Sequence, residues 1–281
     1  MLILGIVIGL LAGGTLAAPV VYHLLRRQTE RVIRAERTAR RTQRLADIGA
    51  MTSGLAHEIK NPLSTIGLNA QLLGEAVEDL PIEEEDAARL TRRVGTLRRE
   101  VERLRDILSD FLQFAGEIRL DRHEVDLNLV LEEMIDFYLP QAEHHGIKLR
   151  ADFTPTPARA LVDRKQIQQA VLNLLINATQ AMEQTEGGTV PGRLREIYLR
   201  TRPAVTDEGR AWEIHVIDTG PGIPDDARDA VFTPYFTTKA AGSGLGLPTT
   251  KRIIEAHGGH IDVHSAAGQG TDFVIILPRG D

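Results

Sequence analysis

Apolar residues follow three different rhythms along the 281-residue chain. The first is continuous. No Asp, Glu, Lys or Arg occurs from Met1 to Leu25, and Arg26 is the first charge. A helix crosses the hydrocarbon core with about 20 apolar residues, so residues 1–25 suffice for a transmembrane anchor. A cleaved signal peptide is the rival reading, but it carries basic residues ahead of its apolar stretch, and here they follow it. That flank predicts a single pass through the inner (cytoplasmic) membrane, with everything after Arg26 in the cytoplasm. Gly5, Gly9 and Gly13 share one face, which suits helix pairing, although membrane helices are often glycine-rich without it.

The second rhythm alternates steps of four and three. One series runs Ile59, Leu63, Ile66, Ala70, Leu73, Val77, Leu80; another runs Leu90, Val94, Leu97, Val101, Leu104, Leu108, Phe111. Such seams predict two long helices with coiled-coil-like packing. Pro81 marks the turn of an antiparallel hairpin. One hairpin cannot cover both its seams. A second copy completing a four-helix bundle is therefore expected, which makes residues 45–116 a dimerisation domain and the protein a homodimer. An intramolecular bundle would need further heptad helices, and the chain offers none.

The third rhythm is mixed. Helices are predicted near 126–139, 163–184 and 248–257, and strands near 147–153, 159–162, 194–201, 211–217, 260–265 and 271–277. Strands and helices that do not strictly alternate predict an α+β sandwich, with helices layered on a mixed sheet, over residues 117–281. Residues 117–122 are the expected linker after the stem.

Charge sharpens the division. The net charge is -6, yet residues 26–44 hold eight Arg against Glu30 and Glu36, a collar of +6. The remainder has 25 basic and 37 acidic residues, a balance of -12. A basic collar directly after an apolar span fits anionic lipid headgroups, each basic residue near the surface contributing ~1 kcal/mol. An acidic remainder with one Trp and 4% aromatics excludes a nucleic-acid binder. The absence of Cys excludes disulfides, thiol nucleophiles and thiolate metal sites. His144, His145, His257, His260 and His264 lack a supporting carboxylate cluster and read as surface or sheet-face residues rather than metal ligands.

Candidate chemistry lies in five places. At the start of the stem stands His57-Glu58-Ile59-Lys60-Asn61-Pro62-Leu63. Extending the seam back from Ile59 puts Ala56 in the seam and His57 on its solvent flank. A neutral imidazole is a good nucleophile near pH 7. Glu58 can accept a proton, and Asn61 shares the helix face of His57. Pro62 lacks an N–H and should kink the helix.

The other four places are in the C-terminal part. In Asn173-Leu174-Leu175-Ile176-Asn177-Ala178 the two Asn face the same way, and their oxygens suit Mg²⁺. Asp218-Thr219-Gly220-Pro221-Gly222-Ile223 follows a strand; its Asp can accept from an exocyclic amine, and its glycines permit close approach of a ligand, or simply a tight turn. Phe232-Thr233-Pro234-Tyr235-Phe236-Thr237-Thr238-Lys239 ends in a cation able to reach phosphate. Gly242-Ser243-Gly244-Leu245-Gly246-Leu247 precedes Pro248 at a helix start, an arrangement that binds anions. It is neither a Walker A loop, since no Gly-Lys-Ser/Thr follows, nor a dinucleotide fingerprint, since no acidic residue ends a strand ~20 residues on.

The stem motif resembles the H-box of sensor histidine kinases of two-component systems. The four later stretches resemble, in order, the N, G1, F and G2 boxes of their ATP-binding domain, the Bergerat fold. The likeness covers about residues 45–278. It implies His57 as phosphoacceptor, Glu58 as general base, and Asn61 as the residue that orients a hydrolytic water in a phosphatase reaction. It also implies Asn177 as the Mg²⁺ ligand, with Asn173 near the phosphates. Asp218 would read the adenine amine beside Gly220 and Gly222. Lys239, Gly242, Gly244 and Gly246 would form a lid over the phosphates of ATP. Two departures stand out: Gln180 replaces a lysine common in the family, making Asn177-Ala178-Thr179-Gln180-Ala181 similar to the nitrogen-regulation subgroup, and Pro248 takes a position where small residues are usual.

The expected function is therefore a membrane-anchored kinase that phosphorylates His57 from Mg-ATP, passes the phosphoryl group to an Asp of a response regulator, and also acts as a phosphatase on it. A non-catalytic, ATP-responsive scaffold is the alternative. Subtracting anchor, stem and ATP domain leaves no separate sensor, so input is expected through the anchor, the linker or a partner membrane protein.

Overall fold

The computed structural model describes residues 59–77, 83–183, 194–207, 209–239 and 242–279. The expected anchor (1–25), the basic collar (26–44) and the start of the stem, His57 and Glu58 included, lie outside the described residues. Among the described residues no helix is long and apolar enough to cross a membrane. Residues 56–114 and 118–281 form one unit; of the other, residues 1–55 with 115–117, only 115–117 are described.

The stem forms from its seams. Helix α1 (described over 59–77) is followed by α2 (Glu84–Ala115). They run antiparallel and close, because glycine meets valine. A Cβ on Gly67 would lie 3.5 Å from Val101 Cγ1, and one on Gly74 would lie 3.6 Å from Val94 Cγ1. The seam then divides in two. Ala70, Val77 and Val101 are buried, whereas Ile59, Ile66, Leu73, Leu97 and Leu104, each pair a heptad apart within its helix, stay 41–55% exposed. Pro62 lies within α1, where the Ser64 and Thr65 hydroxyls donate back to the carbonyls of Lys60 and Asn61. Such back-bonding bends helices.

The remaining elements are β1 (His123–Asp126), α3 (Leu127–His144), β2 (Lys148–Asp152), β3 (Arg159–Val162), α4 (Arg164–Glu183), β4 (Glu196–Thr206), β5 (Gly209–Asp218), α5 (Asp225–Arg228), α6 (Gly246–Ala256), β6 (His260–Ala266) and β7 (Gly270–Pro278). Five strands form a mixed sheet in the order β2-β4-β5-β7-β6, parallel only between β2 and β4. This is the expected layered α+β arrangement. The register aligns the inward residues across strands. Leu199, Val216, Phe273 and Val263 form one row, and Thr201, Ile214, Ile275 and Ile261 the next. Against them pack the apolar faces of α3 (Leu127, Val130, Leu131, Met134, Tyr138), α4 (Ile167, Val171, Leu174, Leu175, Met182) and α6 (Ile253, Ile254).

Three local expectations are corrected. Strand β1 lies between the expected linker (117–122) and the helix expected from 126, where no element was expected; four residues carry too little periodicity to read, and only pairing with β3 makes them a strand. Helix α3, expected near 126–139, continues through Pro140 to His144. Strand β4 runs past Pro203 to Thr206. Strand β2 pairs with β4 only as far as Arg200, so Pro203 stands on an edge, where its missing N–H costs no ladder bond.

His257 is also not the surface residue expected. It is 4% exposed, its Nδ1 is 2.7 Å from the Ile253 carbonyl, and its Nε2 accepts from the Asp163 N–H at 3.0 Å. The Asp163 carboxylate in turn accepts from the N–H groups of Lys165, Gln166 and Asp121. The end of α6 is thus tied to the start of α4. Burial holds the His257 pKa below 6.5. As pH falls through ~6.5 the unfolded chain binds this proton first, so the contribution of His257 to stability is complete above that pH and is lost below it. In urea unfolding, the advantage of the wild type over His257→Gln is expected to be largest above pH 7 and to shrink by pH 5.5.

Candidate active site

Helix α4 carries two faces. Its apolar positions recur at helical spacing toward the sheet, and this turns Asn173, Asn177 and Gln180 to the opposite side. Asn173 is fully engaged with the protein. Its Nδ2 donates to the Gly246 carbonyl at 3.3 Å, and its Oδ1 accepts from Gln169 at 3.0 Å. It fixes the start of α6 beside α4. Asn177 Oδ1 faces a cation, since Lys239 Nζ donates to it at 3.2 Å and to Gln180 Oε1 at 2.8 Å. An oxygen already presented to a positive charge is a fitting ligand for Mg²⁺.

Asp218 occupies the last inward position of β5, in the row Ile197–Asp218–Thr271. The strand period that buries Ile214 and Val216 also buries this carboxylate, to 5% exposure. It accepts from the Gly220 N–H at 2.8 Å, and burial pushes its pKa up to about 6. Burial also pushes Lys239 down to about 8, while the charges of Asp218 and Glu183 oppose that shift. A buried acid and a half-buried base that feel each other's charge, with opposed shifts, mark a candidate functional site.

The glycines divide by role. On Gly222 (φ +74) a Cβ would sit 2.1 Å from the Ala266 carbonyl oxygen, so the close approach here is to the protein itself. On Gly220 it would meet Asp218 Oδ1 at 2.8 Å. On Gly244 (φ +67) it would meet the backbone of Tyr235 at 2.7 Å, and Tyr235 itself holds φ 67 while its N–H donates to the Gly244 carbonyl. Gly242 lies against Thr237, and a Cβ there would be 2.8 Å from Oγ1. Gly246 differs: a Cβ there would meet Asn177 Nδ2 at 3.8 Å, an ordinary van der Waals contact with no clash. Helix α6 begins there without a side-chain cap, so its first N–H groups are available to an anion.

The structure thus brings Asn173, Asn177, Lys239 and Gly246 together at α4, with Asp218 close enough to act on the charge of Lys239. Asn61 is elsewhere, exposed on α1. In the sequence Gln180 stands out only as a departure from a pattern; its place three residues after Asn177 puts it on the same helix face. Phe232 anchors the segment before Lys239 edge-to-face on Phe273, with ring centroids 6.3 Å apart.

Gly222→Ala should destabilise the protein by about 1–3 kcal/mol, the usual cost of a strained left-handed residue. Gly246→Ala should stay within about 0.5 kcal/mol of wild type, as a substitution that meets no clash and no backbone strain does. Urea unfolding of the two variants checks the contrast.

Two family models match the chain: the His Kinase A (phospho-acceptor) domain over residues 47–116, and the histidine kinase-, DNA gyrase B- and HSP90-like ATPase domain over residues 162–281. The sensor histidine kinase ZraS of Klebsiella oxytoca is 35% identical over 269 residues, covering 95% of this chain and 54% of the relative. The sensory histidine kinase/phosphatase NtrB of Vibrio alginolyticus is 31% identical, covering 81% and 61%. The chain spans about half the length of the curated relatives it matches. Among solved structures, full-length ShkA in complex with AMPPNP superposes with a TM-score of 0.62 at 28% identity, over 82% of this chain and 45% of that one. Histidine kinase ThkA in complex with the response regulator TrrA gives 0.58 at 27% identity, over 85% and 64%. With both domains matched in order and these relatives aligned across them, the chain belongs to the sensor histidine kinases of two-component systems.

Proposed function

We propose that this chain is a membrane-anchored, homodimeric protein-histidine kinase. It transfers the γ-phosphoryl group of ATP to His57, and from there to an Asp of a response regulator. The observation that carries this reading is the gathering of an amide oxygen, a half-buried lysine and an uncapped helix start on one face of α4. These are the donors that an Mg-bound polyphosphate needs. Mg²⁺, when bound, neutralises phosphate charge, with Asn177 as its protein ligand. Lys239 and the N–H groups at Gly244 and Gly246 stabilise the charge that builds on the transferring group. The Asp218 carboxylate, fixed by Gly220, accepts from the adenine amine. Neutral His57 would attack the γ-phosphorus of ATP, the bond from that phosphorus to its bridging oxygen breaking to release ADP, and Glu58 would take the ring proton.

The homodimer is supported by the exposed half of the seam, where Ile66 and Leu73 on α1 and Leu97 and Leu104 on α2 leave an apolar surface that a second hairpin would cover. Residues 1–25 would anchor it and residues 26–44 would lie at anionic lipid. The domain limits 45–116 and 117–281 belong to the same proposal. Regulator transfer draws on the ThkA–TrrA complex, a relative seated on such a partner.

Phosphatase activity toward the regulator is a second reading. Asn61 is exposed on α1, free to meet a docked partner, and NtrB is described as a kinase/phosphatase.

Incubated with γ-labelled ATP and Mg²⁺, the protein should acquire label that is labile in acid and stable in base. His57→Gln should remove it completely, and Asn177→Ala should reduce it by at least tenfold. Label that survives His57→Gln would overturn the assignment of the phosphoacceptor. Asn61→Ala should leave this labelling intact while slowing loss of phosphate from the phosphorylated regulator.

A further inference from the structure

Lys239 has two partners with different fates. Its ammonium donates to Asn177 Oδ1 at 3.2 Å and to Gln180 Oε1 at 2.8 Å. The Asn177 oxygen is the one the metal would take. A divalent cation seated on that oxygen repels an ammonium held against it, because the two positive charges compete for the same lone pairs. Loading the site therefore deprives Lys239 of one acceptor and leaves Gln180 as the other. The cation is half-buried beside Asp218 and Glu183, so it is not held by water alone.

Position 180 also accounts for where the positive charge comes from. A lysine projecting there from α4 would stand against Lys239 and repel it. An amide oxygen at the same place attracts it. The charge thus arrives from the segment before the glycine loop, rather than from the helix, and the helix supplies its acceptor.

We propose that Gln180 is the positioning residue for Lys239: its side-chain oxygen holds the ammonium at the end of α4, both before nucleotide arrives and after Asn177 turns to the metal. This rests on the nucleotide-binding reading above. It goes beyond that reading in giving a role to a residue that does not itself touch the reacting atoms.

The test separates the two claims. On the nucleotide-free full chain, acylation of Lys239 by acetic anhydride is followed by peptide mass spectrometry, with the exposed Lys165 as internal reference. Gln180 is exposed on α4, so its substitution leaves the core intact. In Gln180→Met, which keeps the length and loses the oxygen, Lys239 should react about fivefold faster, the factor for losing one ordinary hydrogen bond. Gln180→Glu, which keeps an oxygen in place, should react no faster than wild type. With nucleotide, Gln180→Met should lower kcat for His57 phosphorylation more than it raises KM for ATP, and it should add nothing in a Lys239→Met background. Equal Lys239 reactivity in wild type and Gln180→Met, or additive effects of the two substitutions, would overturn the role of Gln180. Absence of phosphohistidine in the wild type would instead sink the kinase reading, and the acylation result would still decide the position of Lys239.

Discussion

The period of helix α4 is the constraint on which the site depends. A helix returns to the same face every 3.6 residues, and the sheet needs one apolar face to cover it. Ile167, Val171, Leu174, Ala178 and Met182 meet that need. Once they are seated, Asn173, Asn177 and Gln180 have no choice of direction. Core packing therefore aims the polar side chains, and they cost no stability because they sit on the side the core does not use. The tie from Asp163 to His257 fixes the start of α4 against the end of α6, and Asn173 fixes its middle against the start of α6. Helix α6 is thereby held to α4 at both of its ends.

The same logic explains the buried acid. Asp218 is inward because Ile214 and Val216 are inward, and a strand alternates. Its ionised form loses hydration there, which raises its pKa; the Gly220 N–H gives part of that back. Lys239 lies close enough for each charge to ease the burial of the other. Two ionisable groups kept away from water gain strength as hydrogen-bond partners, since a low local dielectric strengthens polar contacts. Under the proposed function a nucleotide would meet groups already oriented, and less ordering would be left to offset its binding.

The stem obeys a different rule. Its hairpin closes through glycine on valine, with Gly67 on Val101 and Gly74 on Val94, so the two helices approach with little side chain between them. That closeness uses one half of the seam and leaves the other outside. An apolar stripe on a helix pair is a surface that another helix face can cover, and under the proposed function a second copy would present the matching one.

The sequence by itself determined the elements and the chemistry they carry. Seams of unbroken spacing gave the stem helices. Alternation gave the sheet strands, with β4 and β5 recognised but too short. Motif order gave the family, and with it the residues expected to bind ATP. Periodicity suffices for these because burial repeats over many residues. It failed at β1, whose four residues become a strand only by pairing with β3, and at Pro203, whose tolerance depends on where β2 ends. Only the tertiary structure decided that His257 is a buried tie and that Gly222 answers to Ala266. It also decided that Lys239 reaches Asn177 and Gln180 across 62 and 59 residues of chain. Each is a contact between segments far apart in sequence, and a local pattern holds no information about which distant atom will stand opposite.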